Sequence, residues 1–173
     1  MPMSMRALQG SITLCWPAEE DATSVDLVTR MLRRASLTTI ERDLLDGAMV
    51  ARLATVRPDG RPHVVPVTFA CPGPGLVVTA VDHKPKQSAN LQRLRNIDVH
   101  PAVSLLVDHY EEDWAALWWL RLDATASVVR EEPHRTNLTQ ALITKYGEYA
   151  ATPPTGPVIA MSIDAIASWN LDG

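Results

Sequence analysis

Residues 117–129, "LWWLRLDATASVV", constrain the fold of this 173-residue chain more than any other stretch. From Leu120 the side chains alternate: Leu120, Leu122, Ala124, Ala126 and Val128 are apolar, while Arg121, Asp123, Thr125 and Ser127 are polar. A period of two puts the first set on one face of a pleated strand and the second on the other, whereas a helix would scatter both around its axis. The neighbouring Trp118 and Trp119 must then point to opposite faces, so they cannot both fill one core. One of them needs a second surface, which a dimer partner, a planar ligand or partial exposure would supply.

Other segments supply partner strands. "ARLATVRPDGRPHVVPVTFA", residues 51–70, reads as two strands joined by Pro58, Asp59 and Gly60. These three set negative φ, cap the turn and accept positive φ. The second strand places His63, Val65, Val67 and Phe69 on one face and Val64, Pro66 and Thr68 on the other. Pro66 cannot donate to a ladder, so this strand is expected at an edge, a bulge or an opening. "CPGPG" (71–75) is expected as a second turn and "LVVTAV" (76–81) as a third strand, rich in β-branched residues. "AVSLLVDHY" (102–110) predicts a fourth strand, and "VIAMSIDAIASWN" (158–170) a last strand or two after the breaker-rich "ATPPTGP".

Helices are few. In "TTIERDLLDGA" (38–48), Thr38 and Glu41 have capping-box spacing, and Ile40, Leu44, Leu45 and Ala48 are predicted to share the inward face. Ser88 is a predicted cap for a helix with Leu91, Leu94 and Ile97 at core spacing, and 133–146 reads as another helix. Helices interspersed among hairpins predict a mainly β (α+β) barrel with peripheral helices rather than a doubly wound parallel sheet. One domain is expected over 36–173, preceded by an extension, 1–35, in which "ATSVDLVTRMLRRA" has helical spacing.

The formal charge of −4 argues against a nucleic-acid-coating protein, and no apolar run approaches the ~20 residues that would cross a bilayer. Two cysteines, Cys15 and Cys71, lie far apart and without metal-ligand spacing, so no disulfide framework or zinc site is indicated. With no secretory signal pattern at the amino terminus, a cytoplasmic, reducing setting is expected. Nucleophile-elbow, zinc-protease, phosphate-loop and dinucleotide-binding motifs are all missing, so hydrolase chemistry has no support.

Thr79, Lys84 and Lys86, with the helix start near Ser88, offer a hydroxyl, two ammonium groups and free N–H groups to a phosphate or carboxylate. The alternative is a solvated loop. His63 reads either as a proton donor or hydrogen-bonding partner for a ring, or as a structural strand histidine.

Together "ARLATVRPDGRPHVVPVTFA", "LVVTAVDHKPKQSANLQRLRNI", "HPAVSLLVDHY" and "DWAALWWLRLDATASVV" resemble the pyridoxamine 5′-phosphate oxidase-like superfamily, over roughly residues 36–169. Within it the chain is similar to the branch that uses the deazaflavin coenzyme F420. The resemblance implies an FMN-binding split β-barrel forming a homodimer, with cofactor sites at the subunit interface. It implies cofactor contacts at His63, Val65, Pro66, Thr79, Lys84, Pro85, Lys86 and Trp118, with no metal and no obligatory catalytic side chain. Departures are "LDATA", where relatives often carry a glycine, and "HPAV", where an Asn-Pro is common. The implied activity is hydride transfer from reduced F420 to a conjugated acceptor such as an enone or quinone. The alternatives are an FMN-dependent oxidase of the pyridoxamine-phosphate type and a non-catalytic binder of a flavin, deazaflavin or haem-like molecule.

Overall fold

A computed structural model of the chain describes residues 33–34, 36–81 and 91–171. In chain order the elements are β1 (Arg33–Arg34), α1 (Thr39–Gly47), β2 (Ala51–Val56), β3 (Pro62–Val67), β4 (Ala70–Gly73), β5 (Leu76–Ala80), α2 (Gln92–Val99), β6 (Ala102–His109), β7 (Trp118–Val129), α3 (His134–Lys145), α4 (Gly147–Ala151) and β8 (Val158–Trp169). A single 3₁₀ turn, Trp114–Ala116, precedes β7.

The strands form one antiparallel sheet in the order β3-β2-β6-β7-β8-β5-β4, with β1 paired to β8 beside that path. Val67 of β3, Leu53 of β2, Leu105 of β6, Leu122 of β7, Met161 of β8 and Val77 of β5 all meet in one core. Strands so far apart along the path could not touch in a flat sheet, so the sheet curls around its own apolar face. β5 is buried on both sides: Val77 faces this core, while Val78 and Ala80 face a second cluster with Leu142, Tyr146 and Tyr149. That double burial explains its unbroken apolar run.

The β2–β3 hairpin follows its turn chemistry. Gly60 N–H donates to Arg57 O at 2.8 Å, Gly60 takes φ +84°, and Arg57 N–H donates to Arg61 O at 2.8 Å. This is a three-residue loop closed by a left-handed glycine. Antiparallel pairs alternate between hydrogen-bonded and non-hydrogen-bonded, so counting from Arg57/Arg61 makes Thr55/His63 a bonded pair. Pro62 and Pro66, opposite Val56 and Arg52, then fall at non-bonded positions on a terminal strand, where a missing N–H costs no ladder bond. The edge position expected from Pro66 is the one observed.

β7 realises the predicted alternation, with Leu120, Leu122, Ala124 and Ala126 buried. The Thr38–Glu41 capping box is also formed, Thr38 N–H donating to Glu41 Oε2 at 2.8 Å and Glu41 N–H to Thr38 Oγ1 at 3.2 Å.

Several expectations are corrected. Ile40 is 55% exposed, and the buried face of α1 is instead Glu41 and Leu45. Glu41 tolerates burial because the cap and Ser168 Oγ, at 3.3 Å, occupy its carboxylate, and this turns Ile40 outward. "CPGPG" is only half a turn: Cys71, Pro72 and Gly73 belong to β4, an edge strand that accommodates a proline, and only Pro74 and Gly75 make the bend. The helix expected from Ser88 begins at Gln92, with Leu91 at its N-cap and no side-chain cap; Ser88 lies outside the described residues. Leu94 and Ile97 are buried as predicted. The last segment, expected as one strand or two, is a single strand with a bulge near Asp164. Of the helix expected over 22–35, only Arg33–Arg34 are described, and they form β1.

Candidate functional site

On β2, Ala51, Leu53 and Thr55 point inward, and on β3 His63, Val65 and Val67 stand opposite them. Thr55 is 3% exposed and is the one polar residue among those inward positions of β2. A polar group so placed needs partners, and Asn96 of α2, itself fully buried, donates Nδ2–H to Thr55 Oγ1 at 2.8 Å. Asn96 Oδ1 accepts from Gln92 Nε2 at 2.7 Å, and Gln92 Oε1 accepts from Arg95 at 2.5 Å. At the other end, Thr55 Oγ1 lies 3.3 Å from both His63 Nδ1 and His63 O. A polar chain therefore runs from the surface of α2, along the inner face of β2 and β3, to the His63 imidazole.

Burial, with Arg57 and Arg93 nearby, holds the His63 imidazole below its ordinary value of 6.5, so the ring is neutral at pH 7. Arg57 has the same strand parity as Thr55, and its Nε is buried without a hydrogen-bond partner among the described residues. A buried guanidinium N–H left open beside a neutral histidine suits a ligand that brings an acceptor, above all an anion. No group of His, Cys, Asp and Glu able to hold a metal occurs among the described residues.

The residues predicted from sequence are distributed unevenly around this cluster. His63 and Val65 lie together on the inner face, while Pro66 is exposed on the outer one. Thr79 is 2% exposed in β5, opposite Ile159 and, through it, Val128 at the end of β7. Lys84, Pro85 and Lys86 lie outside the described residues. The strand entering that segment ends at Thr79–Ala80, and the helix leaving it is α2, whose Asn96 reaches Thr55. Trp118 is remote: it packs on the core at the start of β7, its ring stacked 6.3 Å from that of His109. The row through Ala54, Ser104 and Asp123, beside the His63 pair, crosses β7 five residues later, about 17 Å along the strand. One protomer thus does not bring Trp118 to His63.

Trp119 takes the opposite face, as strand geometry requires. It lines a cavity of about 310 Å³ with Leu106, Asp108, Tyr110 and Arg121. The same outer face carries an Arg52–Asp108 ion pair at 2.9 Å and the 59%-exposed Val64. A second outer groove of about 440 Å³ runs past Ala54, Val56, Pro62, Ser104 and Asp123. There Asp123 is held by Ser104 at 2.6 Å and by Arg121 at 3.0 Å, so its carboxylate is occupied. Among the described residues no helix is long and apolar enough to cross a membrane.

The sheet order, the curled core and the terminal β3 hairpin define an antiparallel split barrel of the pyridoxamine 5′-phosphate oxidase type. Residues 37–170 match the Pyridoxamine 5′-phosphate oxidase family, and the chain belongs to it. No curated protein matches the sequence. Solved structures of the same fold include the conserved hypothetical protein Rv2991 from Mycobacterium tuberculosis, 17% identical, TM-score 0.62, covering 81% of this chain and 89% of that one. HutZ, the haem storage protein from Vibrio cholerae, is 20% identical with TM-score 0.56, covering 73% of this chain and 89% of its own. A haem-binding protein from Mycobacterium smegmatis is 19% identical with TM-score 0.58, covering 79% and 56%. At these identities the likeness carries the fold.

Proposed function

We propose that this protein is an oxidoreductase that uses reduced coenzyme F420 to deliver a hydride to a conjugated small-molecule acceptor. The observation that carries the reading is the pairing of a partly buried, neutral His63 with the buried Nε of Arg57, which has no hydrogen-bond partner among the described residues. F420 ends in a phospholactyl and oligoglutamate tail, so it needs cations near the ring wall. Arg57, and Arg61 at the same hairpin, would meet such a tail. When bound, the deazaflavin would supply the hydride itself. The chain's own work would be to bind the anionic tail, align the ring against Val65 and His63, and exclude water with the barrel wall. A proton for the reduced product can come from solvent, so no side chain need be an obligatory acid. We further propose a cytoplasmic homodimer with its sites at the interface. Supporting this, the outer sheet face presents Trp119, Tyr110 and Val64, the last two well exposed.

A second reading is a haem or flavin carrier without turnover. HutZ and the M. smegmatis protein, which share the fold, bind or store haem by name, and His63 is of a residue type that can meet haem.

Both readings, and an FMN-dependent oxidase, separate in one experiment. Tryptophan fluorescence is followed while F420, FMN and haemin are titrated in turn, and reduced F420 is then mixed with a panel of quinones and enones. F420 should bind most tightly and be oxidised faster than in the protein-free control. Tighter FMN binding would move the assignment to an FMN oxidase. Tighter haemin binding, or F420 that binds and is never oxidised, would make the protein a carrier.

A further inference from the structure

We propose that Lys145 is an acylation site supplied by Cys71, whose thiol takes an acyl group from a small acyl thioester and passes it across a shared cavity to the lysine amine. The proposal does not depend on which cofactor the barrel holds.

The chain carries thirteen arginines and only three lysines, Lys84, Lys86 and Lys145, so a lysine is the exception among its cations. Lys145 closes α3, where its Nζ lies 4.0 Å over the Phe69 ring and donates to Leu45 O of α1 at 2.7 Å. An arginine could fill both of these structural roles, since it stacks on rings and donates to carbonyls, but a guanidinium keeps its proton and is no nucleophile. An amine can lose one. Neutral Lys145 would keep an N–H for Leu45 O and still hold a lone pair for attack.

Cys71 is a free, half-buried thiol on β4. Phe69 and Cys71 pack toward the barrel core while Ala70, between them, packs toward Tyr146 and Tyr149, so an amine over the Phe69 ring is on the Cys71 side of the chain. Thiol and amine line one cavity of about 490 Å³, together with Asp46 of α1 and Ala141 and Thr144 of α3. Burial holds the amine below its ordinary range, against the pull of Cys71 and Asp46, so more of it is unprotonated than in a solvated lysine. Burial also pushes the thiol up, with Arg42 and Lys145 opposing. The thiolate is then scarcer, but each one is the stronger nucleophile.

The transfer has two steps. Cys71 Sγ attacks the donor's carbonyl carbon, a new C–S bond replaces the donor's, and the donor leaves as a thiol with the Cys71 proton. Lys145 Nζ then attacks the same carbon, the C–N bond forms as the Cys71 C–S bond breaks, and an amine proton returns to the sulfur. An amide remains on Lys145, and nothing is oxidised or reduced. Acylation removes the charge that faces Phe69, which weakens the tie between α3 and the chain joining β3 to β4.

The test is incubation of the full chain with acetyl-CoA at mildly alkaline pH, followed by peptide mass spectrometry. Lys145 should be acetylated several-fold faster than Lys84 or Lys86, and the preference should vanish in urea. Cys71→Ser should bring Lys145 down to the rate of the other two lysines without changing theirs, with Cys15 still present as the control thiol. Lys145→Arg should leave an acetyl thioester accumulating on Cys71, removable by hydroxylamine. Lys145 labelled no faster than Lys84 and Lys86, a preference that survives urea, or an unchanged Lys145 rate in a folded Cys71→Ser variant overturns the proposal. If Cys71→Ser fails to fold, Lys145→Arg decides it: no thioester on Cys71 means no transfer from it.

Discussion

The hydroxyl of Tyr146 stands in for a missing strand at Phe69: it accepts the Phe69 N–H at 3.0 Å and lies 2.9 Å from Phe69 O and 3.0 Å from Met49 O. Phe69, fully buried, sits between β3 and β4, where the chain leaves one ladder before joining the next. Its peptide groups would otherwise be buried without partners. Lys145, one residue earlier, lies 4.0 Å above the Phe69 ring and caps Leu45 O of α1 at 2.7 Å. Removing only the hydroxyl, in Tyr146→Phe, should therefore cost about 1–3 kcal/mol, because the buried Phe69 N–H loses its acceptor. Urea denaturation should show a lower midpoint with an unchanged slope; an unchanged midpoint would remove this role from Tyr146.

Gly156 is required by closeness rather than by its backbone angle. A Cβ there would lie 2.5 Å from Val81 O, against main chain that cannot rotate away. Val81 N–H also donates to Pro157 O at 3.0 Å, so this loop clamps the end of β5 just before the segment 82–90. Gly156→Ala should lower stability by about 1–3 kcal/mol through overpacking. Thermal melting compared with Gly47→Ala, where a Cβ meets nothing within 4 Å, isolates the effect.

His63 gives the folded state a definite pH dependence. Its folded value is lowered, by burial first and then by Arg57 and Arg93. The unfolded chain therefore binds a proton more readily, and this group's contribution to stability is complete above 6.5 and is lost as the pH falls through the lower folded value. Denaturation midpoints measured between pH 5 and pH 8 should fall toward acid, and the fall should be shallower in His63→Gln.

Arg57 links binding and titration. Arg57→Gln should raise the His63 midpoint toward its ordinary value, read by NMR, because one of the cations opposing its protonation is gone. The same variant should weaken F420 by about ten-fold or more, the scale of one charge-assisted hydrogen bond. A raised midpoint with unchanged affinity would keep the electrostatics and exclude Arg57 from the ligand.

The barrel was legible where one face of a strand had a single task. β7 shows its period of two because one side meets core and the other water, and the hairpin at 57–61 shows itself through Gly60. Ile40 misled because α1 buries a carboxylate, and apolar spacing cannot show that Thr38 and Ser168 will satisfy Glu41. Pro72 misled because a proline reads as a breaker unless its strand is known to be terminal. Of the site, His63 and Val65 were visible as an inward pair, but Asn96 was missed. Its signal was Thr55, a lone polar side chain in step with Ala51 and Leu53, which called for a donor from elsewhere. Nothing near Asn96 in sequence names Thr55, 41 residues away, as the receiver.

β8 spends its two halves on different neighbours. Leu76–Ala80 pair with Val158–Ser162, and Arg33–Arg34 take over at Ala165 and Ile166, across the bulge. Arg33–Arg34 are thus joined to the barrel by main-chain hydrogen bonds, and a version cut back to residue 36 would leave a raw margin on β8. Such a margin invites a foreign strand, so a trimmed protein prepared for crystals or assays should form assemblies larger than the proposed dimer where the full chain does not.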